Sequence, residues 1–322
     1  MVAGDVGQVG HAVGQFFSHL ASVQWPALGV GLVFYGLNLL LRSRGAFNVL
    51  RAAYPQERFQ WRHVGGAYFA AYGANAVFPL RPGDVVRLFL LRRNVPGSSY
   101  PTLASSFLVE NIFDTTIGVL LLIYAFSQGV FPKPPDFSKL NAFDLSFLAA
   151  HPRFTLFLLT VLGVLSMVAF AILSSRVRAF WQRVRQGWTI LREPRRYLSQ
   201  VAAFQFAGWL CRFVCFWFLL EAFGIGGSVH NVLLVFGVNA VSAMVPLTPG
   251  GAGVQQAILV KVFAGTASTA TVAAYSVGQQ IALAAFTFAL GLGAIVVVFR
   301  LRSFRQVIRS ARETEATPTE AQ

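Results

Sequence analysis

Long apolar stretches alternate with short polar segments along almost the whole chain. The longest stretches fall at residues 25–41, 103–126, 154–173, 197–223 and 272–299. They contain 17 to 28 residues, and a helix needs roughly 20, with a range of about 17–25, to cross a hydrocarbon core. The pattern predicts an all-α integral membrane protein, a polytopic helix bundle in which residues 1–322 form a single membrane domain.

Two further apolar stretches are interrupted by proline and glycine. The first runs from Asn75-Ala-Val into Pro-Leu-Arg-Pro-Gly, and the second runs from Asn239-Ala-Val into Pro-Leu-Thr-Pro-Gly. Proline breaks a helix and glycine permits a tight turn, so each interruption predicts a hairpin of two short helices. Broken helices in corresponding halves of a chain are typical of transporter sites. The predicted turn residues are Pro79, Pro82, Gly83, Pro246, Pro249, Gly250, Gly251 and Gly253.

The distribution of charge predicts the direction of each segment. The net charge is +14, but the arginines cluster in short blocks between apolar stretches, which indicates cytoplasmic loops rather than nucleic-acid binding. Basic blocks flank the first interrupted stretch on both sides, so we expect that hairpin to enter from the cytoplasm. The last stretch ends on a basic block, which places the second hairpin outside. The N-terminus is then external and the C-terminus cytoplasmic, in the cell (inner, cytoplasmic) membrane.

These directions predict an inverted-topology repeat with two re-entrant, broken-helix hairpins. A bundle of seven or eight full spans is the competing interpretation. The predicted segments are a non-basic external or interfacial segment at 1–24, a first repeat at 25–126, an external loop, linking helix and basic cytoplasmic loop at 127–196, a second repeat at 197–299 and a cytoplasmic tail at 300–322.

Charged and amide side chains inside the apolar segments are the candidates for function, because isolated charges are costly there. Arginine offers a fork of donors that matches phosphate. A lipid headgroup would bind Arg81, Arg87, Arg212, Asn75 and Asn239. The acids Asp84, Glu110 and Asp114 would serve as coupling groups or counter-ions. In the alternative interpretation, the arginines only pair with these acids.

The sequence favours neither metal chemistry nor catalysis by these acids. Glu110 and Asp114 are four residues apart and share a helix face, but no third ligand follows at a recognisable spacing. We therefore predict no metal site, no cofactor and no catalytic residue. Glu221 is the acid on the same stretch as Arg212, but nine residues separate them, which disfavours a pair on one helix.

Three motifs, in order, resemble those of a known family. They are the run of Asn75, Pro79, Arg81, Gly83, Asp84 and Arg87, the pair Glu110 and Asp114, and the glycine turn at 249–253. Together they resemble the lysylphosphatidylglycerol synthase transmembrane-region family of flippase-like membrane proteins, over nearly the whole chain. The resemblance implies a region that moves an aminoacylated lipid between leaflets in two-part synthases. Relatives that lack the synthase domain are associated with isoprenoid-linked sugars, hopanoids and other envelope lipids.

The chain departs from the family pattern at two positions. Asn111 follows Glu110 where the family often has arginine, and Gln256 follows the glycine turn where it usually has glutamate. These departures leave a family-type ion pair, and proton coupling through that glutamate, unsupported. The chain also ends shortly after its last apolar stretch, so we expect no synthase domain and no aminoacyl transfer.

The residues and the resemblance together predict a non-enzymatic protein that translocates an anionic lipid or lipid-linked headgroup between leaflets. The alternative is a membrane accessory subunit that binds a lipid or polyprenyl-linked substrate for a partner glycosyltransferase or lipid synthase. An enzyme acting on lipid phosphate is a third, less favoured interpretation. The expected ligand is an anionic phospholipid or a polyprenyl-linked lipid, nucleic acid is not expected, and a homo-oligomer is compatible with the sequence.

Overall fold

A computed structural model describes residues 23–78, 82–129, 180–243 and 254–299. The described part of the chain is helical, with short connecting turns. We number its main helices α1 (Trp25–Ala53), α2 (Trp61–Val77), α3 (Gly83–Asn94), α4 (Tyr100–Ser127), α5 (Pro194–Ala222), α6 (Val229–Ala243), α7 (Val254–Val262) and α8 (Thr269–Val297). A π-helical turn at Leu198–Ala202 interrupts α5, and a short helix at residues 180–187 precedes it.

Within the described residues, the four helices α1, α4, α5 and α8 are long and apolar enough to cross a membrane. They confirm four of the five predicted spans, and the fifth, at 154–173, lies outside the described residues. Ser99 and Ser268 cap α4 and α8 by accepting from the backbone N–H groups of Thr102 and Thr271. The protein is therefore an all-α, multi-pass membrane protein.

The first helix is longer than the sequence predicted. We expected it to end at Leu41, before a basic cytoplasmic segment, but α1 continues to Ala53. Arg42 does not end the helix because it is buried at 6% exposure, with polar partners on neighbouring helices. The helix beyond it buries apolar side chains such as Val49 and Leu50.

Each packed pair of helices in one half of the described structure has an equivalent pair in the other half. α1 packs against α5, its equivalent in the other half. α2 packs on α8 as α6 packs on α4, and α2 packs on α3 as α6 packs on α7. α3 also contacts α4 as α7 contacts α8. The two halves therefore share one arrangement of helices, although the division at 25–126 and 197–299 remains a prediction.

Both ends of the first hairpin, α2 and α3, lie at one end of the bundle. Gly66 near the start of α2 packs against Val298, just beyond the end of α8. Beyond the end of α3, the backbone N–H of Ser99 donates to the hydroxyl of Tyr54 at 3.1 Å. Tyr54 directly follows the end of α1. The hairpin therefore starts and finishes where α1 and α8 end.

The second hairpin, α6 and α7, opens at the other end. His230 at the start of α6 bonds the hydroxyl of Tyr124, near the end of α4, at 2.9 Å. Lys261 near the end of α7 lines a cavity with His230 and Gln128. Since α4 starts beside Tyr54 and finishes here, the two hairpins open at opposite ends. Whether they re-enter a membrane, and which end faces the cytoplasm, remain predictions.

Two apolar clusters stabilise the two ends of the bundle. One is built mainly from α5, α6 and the start of α8, and its buried members include Leu219, Val235 and Tyr275. The other is built mainly from α1, α2 and α3, and includes Leu50 and Leu90. Polar contacts of the candidate site join helices from both clusters.

Candidate functional site

Arg87 on α3 is buried and paired. One of its terminal nitrogens lies 2.5 Å from Oε1 of Glu110, which is itself 3% exposed. The rings of Tyr68 and Phe107 cover the guanidinium, with centroids 4.8 and 4.1 Å from its central carbon. Arg87 therefore has the geometry of a counter-ion to Glu110, as the alternative interpretation anticipated.

Arg42 belongs to the site, although the sequence had assigned it to a basic cytoplasmic block. Its Nε donates to the Tyr68 hydroxyl at 3.0 Å, and a terminal nitrogen forms an ion pair with Asp114. The indole N–H of Trp209 on α5 donates to the other oxygen of Asp114 at 2.9 Å. A signal was present in the sequence, because Asn38 and Arg42 are four residues apart and continue one polar face of α1.

The two ion pairs form one network across four helices. Tyr68 on α2 contacts both arginines, through its hydroxyl to Arg42 and through its ring to Arg87. The shared helix face predicted for Glu110 and Asp114 is what lets α4 reach both. Glu110 is thus paired even though Asn111 follows it, because its partner comes from α3.

Asn75 connects the two limbs of the first hairpin. Its Oδ1 accepts the backbone N–H of Gly83 at 2.7 Å, which satisfies a free donor at the start of α3. A Cβ at Gly83 would lie 2.2 Å from the carbonyl oxygen of Ala71, so only glycine allows this approach. Pro82 directly precedes α3, and Asp84 is exposed in its first turn, where the helix dipole favours an acid.

Several predicted site residues lie outside the described residues. They are Pro79, Arg81, Pro246, Pro249, Gly250, Gly251 and Gly253.

Arg212 on α5 differs from the other two arginines. The rings of Trp209, Phe216 and Phe236 surround its guanidinium carbon, with centroids 5.0, 5.8 and 5.6 Å away. None of the described carboxylates forms an ion pair with it. Glu221 instead accepts the backbone N–H of Gly227 at 2.8 Å. The nine-residue spacing had disfavoured a pair between Glu221 and Arg212.

A cavity of about 180 Å³ lies beside Arg212, between α4, α5 and α6. Its lining combines one cation, one amide, two aromatic rings and small or aliphatic residues. These residues are Gly118, Leu121, Trp209, Arg212, Phe236, Asn239 and Ala240. Of the predicted headgroup residues that are described, Arg212 and Asn239 thus share one cavity, whereas Arg87 and Asn75 lie at the first hairpin.

Amide side chains link the second hairpin to α8. Nε2 of Gln255 donates to Oδ1 of Asn239 at 2.7 Å, which joins α7 to α6. Nε2 of Gln280 on α8 donates in turn to Oε1 of Gln255 at 2.8 Å. Sequence analysis selected Asn239 but missed Gln255 and Gln280 as site residues, because uncharged glutamines give no charge signal. Among the described residues, no group of His, Cys, Asp and Glu could hold a metal ion.

Comparison with known proteins identifies the family. The family model for the lysylphosphatidylglycerol synthase TM region matches residues 9–291, which include both hairpins. A search of curated proteins finds no match. The TM region of this family is typically non-catalytic and flippase-like, and its function concerns membrane lipids. The chain therefore belongs to the lysylphosphatidylglycerol synthase TM-region family.

Proposed function

We propose that this protein translocates an anionic lipid or lipid-linked headgroup between the leaflets of its membrane, without covalent chemistry. The observation that carries the proposal is the environment of Arg212. This guanidinium has aromatic neighbours, a cavity beside it and no ion pair among the described carboxylates. Because arginine binds phosphate through two parallel hydrogen bonds, a phosphate headgroup suits the cavity.

The energetics of a charge within a spanning helix support a ligand at Arg212. An arginine at the centre of a spanning helix costs about 2.5–3.5 kcal/mol on insertion scales. Ion pairs offset that cost for Arg42 and Arg87. The ring faces around Arg212 offer about 0.5–2 kcal/mol per cation–π contact and no charge neutralisation. Binding an anion would supply the missing neutralisation.

The position of the cavity supports movement between leaflets. Gly118 and Leu121 come from α4 in the first half, whereas Arg212 and Asn239 come from α5 and α6 in the second. A ligand held there touches both halves. Rocking one half against the other would open the cavity alternately toward each end of the bundle, as in transporters built from repeats.

The remaining predicted residues support the moving parts in this proposal. The pairs Arg42–Asp114 and Arg87–Glu110 act as counter-ions that fix the first hairpin to α1 and α4. Asn75 holds the turn of that hairpin through Gly83. Arg81, which lies outside the described residues, remains a candidate for binding the headgroup.

Reconstitution into liposomes tests the proposal. Vesicles would contain phosphatidylglycerol labelled on an acyl chain, and a membrane-impermeant reductant would bleach the label in the outer leaflet. We expect protein-containing vesicles to lose nearly all of the label, and protein-free vesicles to lose about half on the same timescale. Protein that binds the labelled lipid but leaves half of it protected would support the accessory subunit instead. If the protein neither binds nor moves this lipid, the proposal is contradicted.

A further inference from the structure

The amide hydrogen bonds beside the cavity run in one direction. Gln280 donates to Gln255, and Gln255 donates to Asn239, at 2.8 and 2.7 Å. Nε2 of Gln256 also approaches Oε1 of Gln280 at 3.4 Å. In each step an amide oxygen accepts from the next amide nitrogen. The last oxygen, Oδ1 of Asn239, is therefore occupied from the side of α7.

This direction determines what Asn239 offers the cavity. An asparagine amide has one acceptor oxygen and one donor NH₂ group. With Oδ1 bound to Gln255, the group left for the cavity is the NH₂ of Asn239, and no described residue accepts from it. Arg212 contributes only donors as well. The two polar side chains that line the cavity thus both present N–H groups.

No carboxylate is among the described side chains that line the cavity. Asp114 is linked to Arg212 through one residue. Trp209 donates to Asp114, and its ring lies against the guanidinium of Arg212. Both oxygens of Asp114 are already engaged, one by Arg42 and the other by Trp209. An ammonium group beside Arg212 would therefore meet a like charge and donor groups, without a carboxylate among the described lining side chains to replace its water.

We propose that this cavity is a donor-only headgroup site that selects phospholipids without an amine, and that Gln255 is the positioning residue that sets this selectivity. Gln255 acts through Asn239, by holding the asparagine oxygen away from the cavity. The proposal rests on the lipid-binding function above and adds the class of headgroup. Phosphatidylglycerol fits it, because its phosphate and hydroxyl oxygens all accept. Phosphatidylethanolamine does not, because its ammonium group only donates.

Binding to the purified full-length chain in detergent tests this selectivity. The probes are phosphatidylglycerol and phosphatidylethanolamine that carry the same labelled acyl chain, so only the headgroup differs. We expect wild-type protein to bind phosphatidylglycerol about tenfold more tightly or better, since one charge-assisted hydrogen bond corresponds to a factor of that order. Equal affinity for both probes would overturn the proposal without bearing on translocation, which the liposome assay measures separately.

Reversing the amide direction tests the role of Gln255. In Gln255→Glu the carboxylate can only accept, so Asn239 must turn its NH₂ toward it and expose its oxygen to the cavity. We expect the preference for phosphatidylglycerol to fall by about tenfold or to invert. If Gln255 had a purely structural role, the substitution would weaken the binding of both lipids equally. Gln200→Glu, at an exposed residue of α5, is the matched control and should keep the wild-type preference.

A second variant keeps the proposal testable if Gln255→Glu does not fold. Asn239→Asp places an acceptor in the cavity directly, and should show the same loss of preference as Gln255→Glu. If either variant folds and keeps the wild-type preference, the amide direction does not set selectivity and the proposal is wrong.

Discussion

At the scale of single residues, the three arginines of the site divide into two kinds, although Arg42 and Arg87 are buried and Arg212 is half-buried. Arg42 and Arg87 each have a carboxylate partner, while Arg212 has aromatic rings and a cavity. The sequence identified Arg87 and Arg212 as unusual but could not separate them. Their difference depends on which helices pack together, because Glu110 is distant from Arg87 along the chain and close to it in space.

The Arg42–Asp114 pair should behave as a structural pair. Removing one member of a buried ion pair leaves an uncompensated charge, so Arg42→Gln should lower the free energy of unfolding by about 3–5 kcal/mol. Combining it with Asp114→Asn should recover most of that loss, because asparagine still accepts from Trp209. Thermal unfolding of purified protein in detergent would measure both variants.

Arg44 supplies the control for that measurement. It lies two residues further along α1, is exposed, and its guanidinium lies near the rings of Phe47 and Trp61. Arg44→Gln should change the unfolding temperature little. A double variant no more stable than Arg42→Gln alone would show that the two residues do not act as a pair.

At the scale of the elements, the hairpins show what sequence can and cannot predict. Both breaks were predicted from proline and glycine that interrupt apolar runs, and residues 79–81 and 244–253, which hold most of the predicted turn residues, lie outside the described residues. The capping bond from Gly83 to Asn75 and the bond from Gln255 to Asn239 were not, since each depends on how two limbs return beside each other. The full length of α1 was missed for a related reason. Without knowledge of its partners on other helices, Arg42 indicated the end of the apolar helix.

The crossing of α2 and α8 depends on two glycines. A Cβ at Gly291 would lie 2.8 Å from Cα of Gly73 and 2.9 Å from the carbonyl oxygen of Phe69. Because these are backbone atoms, they cannot move without shifting a helix. We therefore expect Gly291→Ala to lower the unfolding temperature and to weaken the attachment of the first hairpin.

Gly293 on the same helix provides a matched control. Nothing lies within 4 Å of a Cβ built there. Gly293→Ala should be neutral or stabilising by up to about 1 kcal/mol, since alanine favours helix. Equal effects of the two substitutions in a thermal unfolding assay would mean that the close crossing does not contribute to stability.

At the scale of the whole molecule, the two halves pack in equivalent ways and their hairpins open at opposite ends. Charge bias along the chain and the repeated Asn-Ala-Val motif predicted an inverted repeat. Its bounds, and the side from which each hairpin enters the membrane, remain predictions. The interface between the halves could not be predicted from the sequence. The cavity combines residues from α4, α5 and α6, and no single motif contains them.

Cysteine labelling in cells would test the orientation. With Cys211 and Cys215 replaced by alanine, single cysteines at Gln56 and Pro96 should be labelled only from the cytoplasm. Single cysteines at Gln128 and Thr266 should be labelled only from outside. All four native residues are exposed in the structure. Labelling of Gln56→Cys and Pro96→Cys from opposite sides would exclude the cytoplasmic hairpin.

The most direct test of the central claim compares the unpaired arginine with a paired one in the liposome assay. We expect Arg212→Gln to fold normally and lose translocation of labelled phosphatidylglycerol. The double variant Arg87→Gln with Glu110→Gln should retain most of it, because neutralising both members of a buried pair costs little. Arg93→Gln, at an exposed arginine of α3, should match the wild type. Wild-type translocation by Arg212→Gln would contradict the claim that this guanidinium holds the headgroup.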